Sequence, residues 1–122
     1  MRLVLVEDNA VYRSSLELLL AMQPDLEVVG VAATATEALV ALETLSPDVV
    51  LLDFRLPDMD GAAATLALRA QHPGAAVICL TAEASPEEWD AVLEAGAVAM
   101  IEKGVSIDEL ADAVRAAAGT PK

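Results

Sequence analysis

The sequence is poor in cysteine, in aromatic residues and in basic residues, and each shortage excludes a class of protein. The single cysteine, Cys79, cannot form an internal disulfide, which agrees with a reducing compartment. Seven lysines and arginines stand against twenty acidic residues, and the resulting net charge of −13 argues against binding of nucleic acid or anionic lipid. Because Phe, Tyr and Trp occur once each, aliphatic side chains must form the core.

The sequence also lacks long apolar runs. No stretch approaches the roughly 20 uninterrupted apolar residues of a membrane span, and the N-terminus has no signal-peptide pattern, so we expect a cytoplasmic protein. The length of 122 residues fits one compact domain. We expect that domain to cover residues 1–118, with residues 119–122 forming a C-terminal tail or the start of a linker.

Five short apolar runs are present, and they lack the alternation of a half-exposed strand. This is typical of strands that are covered on both faces in a parallel sheet. The predicted strands are Leu3–Val6, Leu26–Val31, Val49–Leu52, Ala76–Leu80 and Ala97–Ile101.

Helix start and stop signals separate these runs. Thr34, Ser85 and Ser106 each precede a glutamate by three residues, which is the pattern of a capping box. Asp60 is the predicted N-cap of a further helix, and Pro86 fits a first helical position. Helix ends are predicted at Pro24, Pro73 and Gly96. In the first helical segment one face at helical spacing is formed by Val11, Ser15, Leu18, Leu19 and Met22. The five β-α repeats predict an α/β fold with helices on both faces of a parallel sheet.

Polar residues follow four of the five predicted strands. They are Glu7 and Asp8 after the first, Asp53 after the third, Thr81 after the fourth, and Glu102 and Lys103 after the fifth. In an open parallel sheet the ligand crevice lies beyond the carboxyl ends of the strands, so we expect these side chains to meet there.

Three carboxylates in one crevice repel one another, and a hard divalent cation such as Mg²⁺ relieves that repulsion. Lys103 adds a positive charge and Thr81 a hydroxyl donor, so together they form a cradle for a phosphoryl group. A carboxylate can act as the nucleophile and form an acyl phosphate. The central Asp53 is the natural phosphoacceptor.

The whole chain resembles the receiver domain of bacterial two-component response regulators. The resemblance is carried by four motifs in order: Val6 to Asn9, Asp53 to Gly61, Leu80 to Ala82, and Glu94 to Ala97 leading to Lys103. The second and fourth are closest to regulators with a helix-turn-helix output domain. The resemblance implies a single doubly wound (βα)5 domain with strand order 2-1-3-4-5.

The same resemblance implies a role for each site residue. Asp8, Asp53 and the backbone carbonyl of Arg55 would ligate Mg²⁺, and Glu7 would act through water. Asp53 would accept a phosphoryl group from the phosphohistidine of a sensor histidine kinase, or from a small donor such as acetyl phosphate. Thr81 and Lys103 would hold phosphoryl oxygens.

The resemblance further implies a signalling domain that catalyses only its own phosphorylation and dephosphorylation. Its output surface would be the fourth helix, fifth strand and fifth helix, through which a homodimer is also a family expectation. Transcription regulation would require an output domain beyond this chain. Arg55 and Glu83 would flank the path of the hydrolytic water.

Two positions depart from the family pattern. Met100 occupies the place of the usual Tyr or Phe, which puts a ring-flip readout in doubt. Gly104 replaces the proline that commonly follows the lysine with a cis bond, so we expect a trans bond here.

Three other functions fit the sequence less well than a receiver domain does. A phosphohydrolase acting on external substrates would carry an acid-base aspartate where Arg55 stands, and a flavodoxin-like cofactor binder would not place Glu7 and Asp8 at its phosphate loop. A phosphate-independent docking module, or pseudo-receiver, is the remaining alternative, against which the complete set Asp8, Asp53, Thr81 and Lys103 argues.

Overall fold

The computed structural model describes residues 1–119. The predicted tail or linker therefore lies outside the described residues, except for Gly119, which caps the last helix. Strands and helices alternate strictly along the chain. They are β1 (Arg2–Val6), α1 (Ala10–Ala21), β2 (Glu27–Ala32), α2 (Ala35–Ala41), β3 (Val49–Asp53), α3 (Gly61–Gln71), β4 (Ala76–Thr81), α4 (Pro86–Glu94), β5 (Ala99–Glu102) and α5 (Ile107–Ala118).

The five strands form one parallel sheet in the order β2-β1-β3-β4-β5, which confirms the predicted fold. β1 and β3 pair in register from Leu3 with Val49 to Val6 with Leu52. The order reverses direction between β1 and β3, because the chain goes first to β2 on one side and later to β4 and β5 on the other. This switch point places the ends of β1 and β3 next to each other, where such sheets bind ligands.

Alternate side chains of the central strands enter two separate apolar cores. Leu3 and Leu5 face the core beneath α1 and α5, while Val4 and Val6 face the core beneath α2, α3 and α4. Both cores are almost wholly aliphatic, as the shortage of aromatic residues predicted. Met100 is buried in the second of them, so it acts as a packing residue in this structure.

The predicted helix caps are present. Thr34, Asp60, Ser85 and Ser106 are N-caps whose side chains accept a backbone N–H of the first turn. The reciprocal bond of a full capping box forms at Ser85, whose N–H donates to the Glu88 carboxylate. At Thr34 the capping box is incomplete, because the Glu37 carboxylate instead accepts the threonine hydroxyl.

The start of β5 differs from the predicted boundary for a physical reason. Gly96 has a positive φ of 114° and ends α4, as predicted. The N–H groups of Gly96 and Ala97 return to carbonyls of α4, which is the bonding of a Schellman motif. Ala97 is thereby used by the helix end, and β5 begins at Ala99 rather than at Ala97.

The apolar face that the sequence outlines on α1 is not its packed face. Val11, Leu18 and Met22 are 78%, 67% and 73% exposed, whereas Leu16 and Leu20 are buried against the sheet. The helix is confirmed, but both of its faces are apolar, so periodicity alone could not identify the buried one.

The helices are short, and the peptide bonds of the described residues share one conformation. Within residues 1–119 no helix is long and apolar enough to cross a membrane. Every peptide bond in the same range is trans, and the expected trans bond before Gly104 is therefore confirmed.

Gly61 provides a test of the packing under the β3–α3 loop. A Cβ added there would lie 2.6 Å from Cδ1 of Phe54 and 3.0 Å from Sγ of Cys79. We expect Gly61→Ala to destabilise the fold by about 1–3 kcal/mol in urea unfolding, because the overpacking outweighs the better helix propensity of alanine. Gly74→Ala is the matched control, since a Cβ at Gly74 meets nothing within 4 Å. Equal stability of the two variants would contradict this account.

Candidate functional site

The carboxyl end of β1 carries the acidic pair. Glu7 is buried and its carboxylate accepts the backbone N–H of Asn9 at 3.0 Å, while Asp8 is exposed. Asn9 caps α1 by accepting the N–H of Tyr12 at 2.9 Å. Arg13, one residue further, donates to the backbone carbonyl of Glu7 at 2.6 Å. The first turn of α1 therefore holds the acidic pair in place.

Asp53 ends β3, the central strand of the sheet, and is only 6% exposed. Both neighbouring strands lie beside it, and the backbone N–H of Phe54 continues the ladder by donating to the Leu80 carbonyl at 2.8 Å. The Asp53 carboxylate at the end of this strand therefore has little contact with solvent.

Lys103 follows β5 and reaches back across the sheet edge. Its Nζ lies 2.7 Å from Oε1 of Glu7 and 3.2 Å from Oδ1 of Asp53, with the side chain 20% exposed. The backbone N–H of Lys103 donates to the Thr81 carbonyl at 2.9 Å, which anchors the start of the loop. One ammonium group thus bridges two carboxylates from two different strands.

Thr81 ends β4 at the same edge and is buried. Its Oγ1 accepts the backbone N–H of Glu83 at 3.1 Å, so the hydroxyl hydrogen remains available as a donor. The structure therefore places Glu7, Asp8, Asp53, Thr81 and Lys103 at the carboxyl edge of the sheet. Glu102, which was also expected to meet them, is exposed at the end of β5.

The donor set fits a hard divalent cation. Glu7, Asp8 and Asp53 each offer a carboxylate oxygen, and these oxygens all lie within 4.8 Å of one another. Oxygen ligands of this kind suit Mg²⁺. Lys103 compensates part of the negative charge but leaves the cluster with an excess of carboxylates over ammonium.

Comparison with known proteins decides the family. A family model described as the response regulator receiver domain matches residues 3–115. The chain belongs to this family. The signal receiver domain of the putative response regulator NarL from Mycobacterium tuberculosis has a TM-score of 0.90 and 31% identity, with 98% of this chain and 97% of that one covered.

Two curated relatives from Bacillus subtilis are also similar to this receiver domain. The uncharacterized transcriptional regulatory protein YhcZ is 40% identical over 110 residues, which is 90% of this chain and 51% of that protein. The transcriptional regulatory protein LiaR is 37% identical over 122 residues, covering 99% and 58%. The chain spans about half the length of these relatives. Both relatives are named as transcriptional regulatory proteins, which agrees with the predicted likeness.

Burial and neighbouring charges shift the pKa values in the receiver's acidic site in opposite directions. For Asp53, burial and next the charge of Glu7 raise the pKa to about 6, although Lys103 opposes them. For Glu7, burial acts to raise the pKa, but the hydrogen bonds from Lys103 and Asn9 outweigh it and the pKa is lowered. For Lys103, burial acts to lower the pKa, but the hydrogen bonds and charges of Glu7 and Asp53 outweigh it, so the pKa is raised. The Lys103 ammonium therefore stays charged, and the repulsion between the Glu7 and Asp53 carboxylates contributes to the raised pKa of Asp53.

Arg55 extends from the loop after β3 towards the loop after β4 and the first turn of α4. Its guanidinium pairs with the Glu88 carboxylate of α4 at 3.3 Å and reaches only the backbone carbonyl of Glu83, at 3.4 Å. Glu88 also completes the capping box of α4. The loop after Asp53 is thus linked to the first turn of α4, which no sequence spacing indicated.

Sequence reasoning missed two further supports of the receiver site. The Asp58 carboxylate accepts the N–H groups of Ala35 and Thr36 at 3.0 and 2.9 Å, together with the Thr36 hydroxyl at 2.7 Å, so the β3–α3 loop caps α2. The Tyr12 ring lies under the Lys103 ammonium, 4.7 Å from Nζ to the ring centroid. Both contacts join segments distant in sequence, and nothing in the sequence marks them.

The raised pKa of Asp53 predicts that its charge destabilises the metal-free domain. The contribution of Asp53 to stability is fully present below its ordinary pKa of 3.8. It is lost as the pH rises through about 6, because ionisation of Asp53 is less favourable in the folded state than in the unfolded state. Without divalent ions we expect the free energy of unfolding of Asp53→Asn to exceed that of the wild type by about 2–3 kcal/mol at pH 7. Near pH 4 we expect the two free energies to be equal. Urea unfolding at the two pH values measures the difference.

Asp90→Asn, at an exposed position of α4, is the control for that measurement and should show no such pH dependence. An Asp53→Asn variant that is less stable than the wild type at pH 7 would contradict the charge argument.

Proposed function

We propose that this receiver domain is a phosphorylation switch in which Asp53 is the phosphoacceptor. The observation that carries the proposal is the convergence of Glu7, Asp8, Asp53 and Lys103, with one ammonium bridging carboxylates from two strands. In this proposal the domain catalyses only its own phosphorylation and dephosphorylation, because Arg55 stands where a phosphohydrolase acting on external substrates would carry its acid-base aspartate.

The position of each site residue gives it a separate role in the proposed phosphoryl transfer. Asp8, Asp53 and the backbone carbonyl of Arg55 would hold Mg²⁺, with Glu7 acting through water. Bound there, Mg²⁺ supplies positive charge against the crowded carboxylates and the phosphoryl oxygens. Lys103 would bind phosphoryl oxygens through its ammonium group, and Thr81 through its hydroxyl hydrogen.

The transfer itself forms one bond and breaks one. A carboxylate oxygen of Asp53 attacks phosphorus, and the bond from phosphorus to the donor breaks. With a histidine kinase as donor, the electron pair returns to the imidazole nitrogen, which takes up a proton. With acetyl phosphate the leaving group is acetate. Hydrolysis of the acyl phosphate by water then resets the domain.

The change is passed on through the loops that the phosphoryl group contacts. When Thr81 and Lys103 turn to the phosphoryl oxygens, the β4–α4 and β5–α5 loops move with them. The face formed by α4, β5 and α5 then presents a new surface, on which a second copy of the chain would pair. A sensor histidine kinase is the proposed donor, and transcription regulation is the proposed role of the longer protein.

Phosphorylation by acetyl phosphate tests the proposal directly. We expect intact-mass spectrometry to show a single phosphoryl adduct on the wild type, dependent on Mg²⁺, and none on Asp53→Asn. Asp90→Asn should be modified as the wild type is, because Asp90 is exposed on α4 away from the cluster. If no adduct forms and beryllofluoride also fails to bind, the domain is a phosphate-independent docking module.

The position of Arg55 predicts an effect on the lifetime of the acyl phosphate. Its side chain is exposed beside the site and is held by a surface ion pair with Glu88, by weak hydrogen bonds and by the face of the Phe54 ring at 5.1 Å. These exposed contacts are weak enough to be exchanged when Arg55 approaches the phosphoryl group or its attacking water. We expect Arg55→Ala to change the dephosphorylation rate constant about two- to ten-fold, measured by decay of the adduct after donor removal.

Arg2→Ala is the matched control for Arg55. Arg2 contacts the Ser46 carbonyl at the opposite end of the sheet, and its loss should leave the decay unchanged. An unchanged decay in Arg55→Ala would remove Arg55 from the hydrolysis step.

A further inference from the structure

Lys103 has a third neighbour besides the two carboxylates. An ammonium group carries three protons. Glu7 accepts one at 2.7 Å and Asp53 lies at 3.2 Å, while the face of the Tyr12 ring lies 4.7 Å from Nζ. That distance is within the range of about 6 Å in which a cation is attracted to an aromatic face.

The surroundings of Lys103 on the side of the Tyr12 ring are largely apolar. On the side of α1 and α5 the lysine borders a cavity of about 130 Å³, whose walls are formed largely by leucine and isoleucine side chains. Leu16, Leu80, Ile107 and Leu110 are among these apolar walls, and Ser15 and Glu102 also line the cavity. On this side the contact of the Lys103 ammonium is with the face of the Tyr12 ring.

Tyr12 is itself rigidly placed. Its backbone N–H donates to the side chain of Asn9, the N-cap of α1, and the next residue, Arg13, donates to the Glu7 carbonyl. The same helical turn therefore fixes both the acidic pair and the ring beneath the lysine. Tyr12 is also the single tyrosine of the chain, whose sequence is otherwise poor in aromatic residues.

We propose that Tyr12 is a positioning residue for phosphoryl transfer, whose ring face holds the Lys103 ammonium at the acidic site. This inference rests on the proposed function and deepens it. A phosphoryl group must draw Lys103 away from Glu7, and a ring that attracts the ammonium without competing for phosphoryl oxygens confines the lysine during that exchange. Without the ring, the lysine side chain could turn into the adjoining cavity.

The test compares Tyr12→Leu with Tyr12→Phe. Leucine removes the aromatic face, and phenylalanine keeps it while removing the hydroxyl. At saturating Mg²⁺ we expect Tyr12→Leu to lower the rate constant of phosphorylation by acetyl phosphate about three- to thirty-fold, and Tyr12→Phe to retain most of it. Mg²⁺ affinity, measured by calorimetry, should stay within about two-fold in both, because the carboxylates are unchanged.

A graded series covers the case in which Tyr12→Leu does not fold. Phenylalanines with one, two and three ring fluorines, placed at position 12 by suppression of a stop codon, nearly keep the shape of the ring but weaken its negative face stepwise. We expect the phosphorylation rate to fall with each fluorine. A purely structural role of Tyr12 would give equal rates across the series.

The outcomes separate the two proposals. A wild type without an adduct overturns the proposed function itself. A wild type that is modified normally, with a rate equal to that of Tyr12→Leu or a flat fluorine series, overturns the role of Tyr12 alone. A loss in Tyr12→Phe as large as in Tyr12→Leu would likewise overturn it, because the hydroxyl and not the ring would then be responsible.

Discussion

The site depends on one electrostatic constraint: two carboxylates from different strands share one ammonium. Glu7 and Asp53 approach the same Lys103, and the remaining repulsion appears in the pKa of Asp53, which is raised to about 6. Burial strengthens both the attraction and the repulsion, since little water screens them. The arrangement is therefore costly in the resting domain, and it is relieved by any ligand that brings positive charge to the carboxylates or oxygen ligands to the lysine.

The sheet creates this crowding and the helices maintain it. The order β2-β1-β3-β4-β5 puts the ends of β1 and β3 side by side, and two aliphatic cores hold the strands from both faces. Short bonds from the first helical turns then fix the loops. Asn9 caps α1, Asp58 caps α2 from the β3–α3 loop, and Ser85 and Glu88 close the capping box of α4. Functional groups on loops keep a defined geometry because helix ends bind those loops.

The ion pair between Arg55 and Glu88 connects the loop after Asp53 with helix α4. Arg55 follows Asp53, the proposed phosphoacceptor, by two residues, and its partner lies on α4, part of the face proposed for output. An exposed ion pair of this kind contributes little stability, so it can exchange partners easily. With Met100 buried as a core residue, the polar contacts of Arg55, Thr81 and Lys103 are the visible routes from the site to α4 and β5.

Local patterns of sequence determined most of the fold. Apolar runs without alternation predicted every strand, and hydroxyl or aspartate N-caps predicted where α2, α3, α4 and α5 begin, because these signals act over a few residues. The polar residues that follow the strands also predicted that Asp53, Thr81 and Lys103 lie at the carboxyl edge of the sheet. Tertiary structure alone decided which face of α1 is buried, that Arg55 pairs with Glu88, and that Tyr12 lies under Lys103. These contacts join residues far apart in the chain, and their distances are set by how helices pack on the sheet, which no spacing in the sequence encodes.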